Sequence, residues 1–173
     1  MFAEFKRSMM LEFDMTNLGK MRYFLGIEVM QRTDGIFISQ KKYVLEVLEK
    51  FGMNKSILVL DPIVPSCKLL RDEDGVQVDS TIYKQIVGSL MYLTATRPDM
   101  MFVVSLISNY ICNPTELHME AAKRILRYLR GTTGFWVFYK KGGKRELNIY
   151  TDSDYAGDQD DRKSTSGHVF LFS

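Results

Sequence analysis

Carboxylates and cations are segregated along the second half of this chain, and the two stretches ask for opposite partners. Five aspartates and no base lie between Tyr150 and Asp161, whereas eight basic residues and no acid lie between Ala121 and Arg145. The strand-like run Leu147-Asn148-Ile149-Tyr150-Thr151 leads directly into Asp152-Ser153-Asp154. A carboxylate delivered at a strand end is held where the rigid sheet fixes it. Mg2+ prefers oxygen ligands and is often held by one or two carboxylates together with waters and substrate phosphates. Asp152 is therefore the first candidate metal ligand and Asp154 a weaker second. The plain alternative for Asp158, Asp160 and Asp161 is turn chemistry, the usual role of aspartate in a glycine-containing loop. The residues alone favour a structural role for Asp152 as well.

The cations have a clearer pattern. At helical spacing Ala122, Ile125, Leu126 and Leu129 share one face, and Lys123, Arg124, Arg127 and Arg130 share the opposite one. Like charges so placed repel one another unless an anion approaches. A phosphate backbone is the natural partner, and a solvated helix face is an equally weighted alternative. A third feature is Gly26 inside Phe24-Leu25-Gly26-Ile27-Glu28-Val29. A mid-strand glycine marks a bulge or the close approach of another backbone or a ligand, and the residues favour the bulge. His118 and His168 read as structural or exposed, and Met9, Met10, Met91, Met100 and Met101 as core filling. No Walker-type phosphate loop, His-Glu-x-x-His or Gly-x-Ser-x-Gly motif occurs.

Periodicity supplies the elements that must position these groups. Phe2, Phe5, Met9 and Phe13 predict a helix ending near Asn17-Leu18-Gly19. Tyr23 to Met30 and Ile36 to Ile38 flank Thr33-Asp34-Gly35 and predict a β-hairpin. Ser39 is the expected cap of a helix through Phe51, with Tyr43, Val44, Val47, Leu48 and Phe51 inward and Gly52 as its stop. Residues 54–78 read as a connecting loop. Helices are expected from Asp79 or Ser80 to Thr96, from Asp99 to Ile111, and from Thr115 to Arg130. Phe135 to Tyr139 and Glu146 to Thr151 are expected to pair as a hairpin across Lys140-Lys141-Gly142-Gly143, with a last strand from His168 to Phe172.

At 173 residues, 46% apolar and 25% charged, the chain has the composition of a folded protein, with room for one domain or one and part of another. A net charge of +2 says nothing by itself about acidic partners. Cys67 and Cys112 lie far apart without metal-ligand spacing, which fits a reduced intracellular protein, cytoplasmic or nuclear rather than secreted. The apolar region Ile86–Cys112 is interrupted by Arg97-Pro98-Asp99, so two buried helices are expected and no membrane span.

In order, these segments resemble the copia-type class of long-terminal-repeat retrotransposon Pol polyproteins. The resemblance is carried by Tyr23-Phe24-Leu25-Gly26-Ile27-Glu28-Val29, Gly35-Ile36-Phe37-Ile38-Ser39-Gln40-Lys41-Lys42-Tyr43, Val87-Gly88-Ser89-Leu90-Met91-Tyr92-Leu93 with Thr96-Arg97-Pro98-Asp99, Ala121-Ala122-Lys123-Arg124-Ile125-Leu126-Arg127-Tyr128-Leu129-Arg130-Gly131-Thr132, Tyr150-Thr151-Asp152-Ser153-Asp154-Tyr155-Ala156-Gly157-Asp158, and Asp161-Arg162-Lys163-Ser164-Thr165-Ser166-Gly167.

The resemblance implies an α+β fold, mostly helical. Residues 1–53 would be the end of a reverse-transcriptase palm with its primer-grip-like hairpin and following helix. Residues 54–78 would be a connecting loop, 79–143 a thumb/connection-like helical block, and 144–173 an incomplete ribonuclease H-like sheet. It gives Phe24, Leu25 and Gly26 a role at the primer end, makes the Lys123, Arg124, Arg127 and Arg130 face a duplex contact, and matches Asp152 to the first metal-binding aspartate of ribonuclease H. The parent polyprotein would use Mg2+ to copy RNA into DNA and to hydrolyse RNA–DNA hybrids. The family's paired polymerase aspartates are not among these residues, and two-metal cleavage requires several carboxylates. The expectation is thus a catalytically inactive fragment that binds no metal stably. Its expected partners are an RNA–DNA hybrid or other duplex, held weakly, and the rest of the polyprotein. The alternatives are a host-retained interaction module and an enzyme completed by a second chain.

Overall fold

Apolar positions recurring every three or four residues build the core, and they do so on the helices rather than on the strands. A computed structural model describes residues 2–15, 19–64, 69–142, 146–153, 155–156, 162–164 and 166–172. Helix α1 spans Phe2–Glu12, followed by strands β1 (Tyr23–Phe24), β2 (Ile27–Gln31) and β3 (Gly35–Ser39) and helix α2 (Lys41–Lys50). After the connecting segment come α3 (Ser80–Leu93), a 3-10 turn (Pro98–Met100), α4 (Met101–Ser108), α5 (Glu116–Gly131), β4 (Val137–Lys140), β5 (Leu147–Ser153) and β6 (Ser166–Phe172).

Helices α2 to α5 close on one another around Leu48, Tyr83, Leu90, Leu93, Met100, Ile107, Leu126 and Leu129, each at most 1% exposed. The inward faces expected for α2 and α5 are the buried ones: Val44, Val47 and Leu48 on the first, Ala122, Ile125, Leu126 and Leu129 on the second. Complete burial of such a side chain stabilises by roughly 1.5–3 kcal/mol. The Tyr83 hydroxyl, inside this core, donates to the Ile107 carbonyl at 2.7 Å and so joins α3 to α4. Burial pushes its pKa well above the ordinary phenol value, with the neighbouring Tyr110 adding to the shift. Of the five methionines expected in the core, Met100 is buried and Met9 half-buried, whereas Met10, Met91 and Met101 are about half exposed.

The helix ends carry specific chemistry. Asp79 caps α3 by accepting from the Thr81 N–H at 2.7 Å. At the end of α2, Met53 N–H reaches Leu48 O and Gly52 N–H reaches Glu49 O, the paired bonds of a Schellman stop. Ser39 does not cap α2 as expected. Gln40 is the cap residue, and the Ser39 hydroxyl donates to Glu28, whose carboxylate also accepts from the Lys41 N–H at 3.1 Å. A carboxylate from a neighbouring strand therefore meets the positive end of the helix.

The described residues between α2 and α3 form no helix or strand, and they are pinned at α5. His118, fully buried, accepts through Nδ1 from the Thr115 N–H at 3.0 Å, which leaves Nε2 to donate to the Leu70 carbonyl at 2.7 Å. Thr115 donates its hydroxyl to Asp72 at 2.7 Å, and Tyr110 stacks on the imidazole at 4.0 Å. His118 is thus a structural histidine, standing where a capping box places Glu or Gln.

The strands correct the expected pairing. One antiparallel sheet has the order β1-β2-β3-β4, and β5 pairs with β6 in a second sheet. The predicted hairpin between Phe135–Tyr139 and Glu146–Thr151 does not form. Instead β4 returns to β3 in the register Gly35↔Lys140 to Ile38↔Val137. The long-range pair stacks Phe37 on Phe138 across the strands, a contact that a local hairpin could not make.

Candidate nucleic-acid interface

Helix α5 is amphipathic because its basic and apolar residues alternate with the helical turn, and its apolar face is drawn into the core. Lys123 is exposed, and Arg124, Arg127 and Arg130 are partly buried. The expectation of four unpaired cations needs correction. Arg124 Nε donates to the Asp61 carbonyl at 3.1 Å, and Arg130 donates to the Ser56 carbonyl. These two arginines bind the connecting segment to α5, because its irregular backbone leaves carbonyls without helix or sheet partners. Lys123 and Arg127 have no hydrogen bond or ion pair among the described residues. Glu116 and Glu120 precede them on the same stripe, so the cationic surface is the second half of the helix.

Phe24, Leu25 and Gly26 form a turn, not an interrupted strand. Phe24 pairs with Ile27 and Tyr23 with Glu28, which leaves Leu25 and Gly26 as a two-residue loop with φ of +46° and +75°. Two successive positive φ values are what a type I′ hairpin turn requires. Gly26 is therefore not a bulge. It also meets a close neighbour, since a Cβ there would lie 3.4 Å from the Tyr92 ring. The Tyr92 hydroxyl donates to the Leu25 carbonyl, and its ring packs edge-on against Tyr43 at 5.1 Å. A turn anchored from α2 and α3 leaves Phe24 and Leu25 outside, 56% and 70% exposed.

An ion pair between a buried arginine and a partly exposed aspartate ties the end of α5 to the break between α3 and α4. Arg97, 2% exposed, grips Asp99 with Nε at 2.9 Å and Nη2 at 2.7 Å. It also donates to the Thr132 carbonyl and hydroxyl, while Tyr128 donates to Asp99 at 2.8 Å. Burial by itself would raise the Asp99 carboxyl, but the hydrogen bonds from Arg97 and Tyr128 and the guanidinium charge hold it below the usual carboxylate range. Burial and the bond to Asp99 raise the Tyr128 phenol. Beside this pair lies an open cavity of about 380 Å³, lined by residues that include Thr96, Phe135 and Trp136.

Asp152 lies within β5, opposite Gly167, and is exposed. Asp154, Asp158, Asp160 and Asp161 fall outside the described residues. Among the described residues no three of His, Cys, Asp and Glu come together as a metal site. Asp152 belongs to no such group among the described residues. The turn and the α5 stripe are built on the same helical core, whereas Asp152 belongs to the separate β5–β6 sheet. Sequence reasoning passed over Tyr92 and the Arg97–Asp99 pair. Only the polar break Arg97-Pro98-Asp99 inside an apolar region signalled the latter. Among the described residues no helix is long and apolar enough to cross a membrane.

Residues 1–65 match the family model described as reverse transcriptase (RNA-dependent DNA polymerase). The chain is 43% identical, over 87% of its length, to the retrovirus-related Pol polyprotein from transposon RE1 of Arabidopsis thaliana. It is 39% identical over its whole length to the corresponding polyprotein from transposon TNT 1-94 of Nicotiana tabacum. It spans only 10% and 14% of these two relatives. An uncharacterized mitochondrial protein of Arabidopsis thaliana is 38% identical over 47% of the chain and 73% of that relative. No solved structure matches the present chain. The chain belongs to the copia-type retrotransposon Pol polyprotein family and is reverse-transcriptase-like in residues 1–65.

Proposed function

We propose that this segment holds the template–primer duplex and leaves phosphoryl chemistry to other parts of the polyprotein. The observation that carries the reading is the pair Lys123 and Arg127, on the accessible side of α5 with no anionic partner among the described residues. The anchored Phe24-Leu25-Gly26 turn adds an apolar tip suited to the primer end. The partner is an RNA–DNA hybrid or another duplex, bound weakly and through its phosphates. The 173 residues by themselves are expected to show neither polymerase nor ribonuclease H activity. Residues 144–173 are read as the start of a ribonuclease H-like sheet, with Asp152 as one of several carboxylates that the parent would need for Mg2+. Helix α1 and the residue after it support a place inside a larger chain, since Phe5, Leu11 and Phe13 are 63%, 80% and 58% exposed and the rest of the polyprotein would cover them. An intracellular location, cytoplasmic or nuclear, follows from the same reading.

The test is binding to a fluorescent RNA–DNA hybrid across a salt series. Replacing Lys123 and Arg127 together with Ala should weaken binding and reduce the log–log salt slope by about 2, one unit per lost phosphate contact. Replacing Arg124 should act mainly on stability, because its guanidinium is engaged by Asp61. Hybrid affinity unchanged in the double variant would remove the duplex role and leave a protein-interaction module.

A further inference from the structure

The first sheet carries a feature that neither the α5 stripe nor the Leu25–Gly26 turn uses. On one face of β3 and β4, Phe37 stacks on Phe138 with centroids 4.3 Å apart and planes 25° from parallel. Trp136 meets Phe37 edge-on at 4.4 Å. Gly35 makes room for this arrangement, since a Cβ there would collide with the Phe138 ring and the Tyr139 carbonyl. The Arg32 guanidinium lies 4.8 Å from the Phe37 centroid. Alternation along β4 puts Lys140 on the face of Trp136 and Phe138, opposite Gly35 in the register. Two cations thus stand at one end of an aromatic row. Glu28 shares this face farther along but is engaged by Ser39 and the Lys41 N–H, and Asp34 lies in the loop that receives the Lys141 N–H.

The rings are accessible: Trp136 is 53% and Phe138 36% exposed, and Trp136 also walls the cavity beside Arg97. An apolar protein segment laid on this surface would have to desolvate or pair Arg32 and Lys140. A single-stranded nucleic acid satisfies both halves at once, because every base offers a π-face for stacking and every linkage offers a phosphate. We propose that the Phe37–Trp136–Phe138 face stacks unpaired bases of a single-stranded nucleic acid, with Arg32 and Lys140 taking the adjacent phosphates. The proposal rests on the nucleic-acid reading above but uses a separate surface and a different form of the polymer.

Trp136 is the single tryptophan of the chain, so its fluorescence reports this face alone. Titrating the full chain with an unlabelled oligothymidylate should quench it saturably, and added salt should reverse the quenching. By anisotropy of a labelled oligothymidylate, Trp136→Ala should weaken binding by roughly 5- to 150-fold, the range for loss of one base–aromatic stack. Trp136→Phe should retain most of the affinity, with an unchanged circular dichroism spectrum showing that the fold persists. Arg32→Ala with Lys140→Ala should weaken binding and lower the salt slope by about 1.4, while affinity for the hybrid stays constant. Hybrid binding through Lys123 and Arg127 without quenching by single strands would overturn this proposal and leave the duplex role standing. Quenching with unchanged affinity and salt slope in the Arg32/Lys140 variant would overturn it as well. If neither polymer binds, both readings fall.

Discussion

Helix α3 and the β5–β6 hairpin are both rich in apolar residues, yet they meet different fates. In α3, Tyr83, Ile86, Val87, Leu90 and Leu93 are at most 2% exposed. In β5 and β6, Leu147, Ile149, Tyr150, Val169, Phe170 and Leu171 all lie between 48% and 59% exposed. The difference is one of layers. A helix presents its apolar stripe to one side, and α2, α4 and α5 converge on it. A two-stranded sheet presents two faces and buries neither against a second layer, so it adds little stability by itself. Cooperative stability should therefore reside in the helical block, while β5 and β6 depend on their pairing alone.

The largest expected effect tests the helical side of this comparison. Asp99→Asn leaves the buried Arg97 guanidinium without its charge partner, though still bonded to Thr132, and should cost about 2 kcal/mol, measured by urea denaturation of the helical signal. The same pair predicts a pH dependence. The Asp99 carboxyl is held below its unfolded value, so its contribution is fully present above about pH 4 and is lost as pH falls through the folded pKa. The Asp99→Asn protein should lack that part of the acid transition. An unchanged urea midpoint would mean that the ion pair does not couple α5 to the α3–α4 break.

A smaller effect is expected at Gly26, where Ala must adopt φ near +75° against Tyr92, at a cost of about 1 kcal/mol. The smallest is expected in the terminal hairpin. Ile149→Thr should shift global stability by no more than about 0.5 kcal/mol. Amide hydrogen exchange sharpens the contrast: α3 and α5 amides should exchange only through global unfolding, and those of β5 and β6 far sooner. Equal protection in the two regions would break the comparison outright.

Short-range rules read most of the helices and the β2–β3 hairpin, and they misread the Ser39 cap and the partner of β4. The caps at Asp79 and Thr115, the inward faces of α2 and α5 and the hairpin of β2 with β3 all follow from residues within a few positions of one another. The β3–β4 pair joins segments on opposite sides of the entire helical block, and nothing in either strand announces its partner. The candidate interface divides in the same way. The α5 stripe was visible as a pattern, but the engagement of Arg124 and Arg130 by Asp61 and Ser56 was not. Those carbonyls are distant in the chain and carry no side-chain signal. The Leu25–Gly26 turn was missed because Leu at positive φ runs against local preference, and the Tyr92 hydroxyl that holds it comes from α3.

The sequence by itself determined the family, through several short stretches in a fixed order, and the positions of the helices, through a period that each segment carries internally. Tertiary structure decided which strands pair, which cations of α5 remain available, and that Phe37, Trp136 and Phe138 form one surface. The physical reason is range. Helical hydrogen bonds and caps link near neighbours, so local residues specify them, whereas sheet pairing and side-chain capture of loop carbonyls are settled only when the core brings distant segments together.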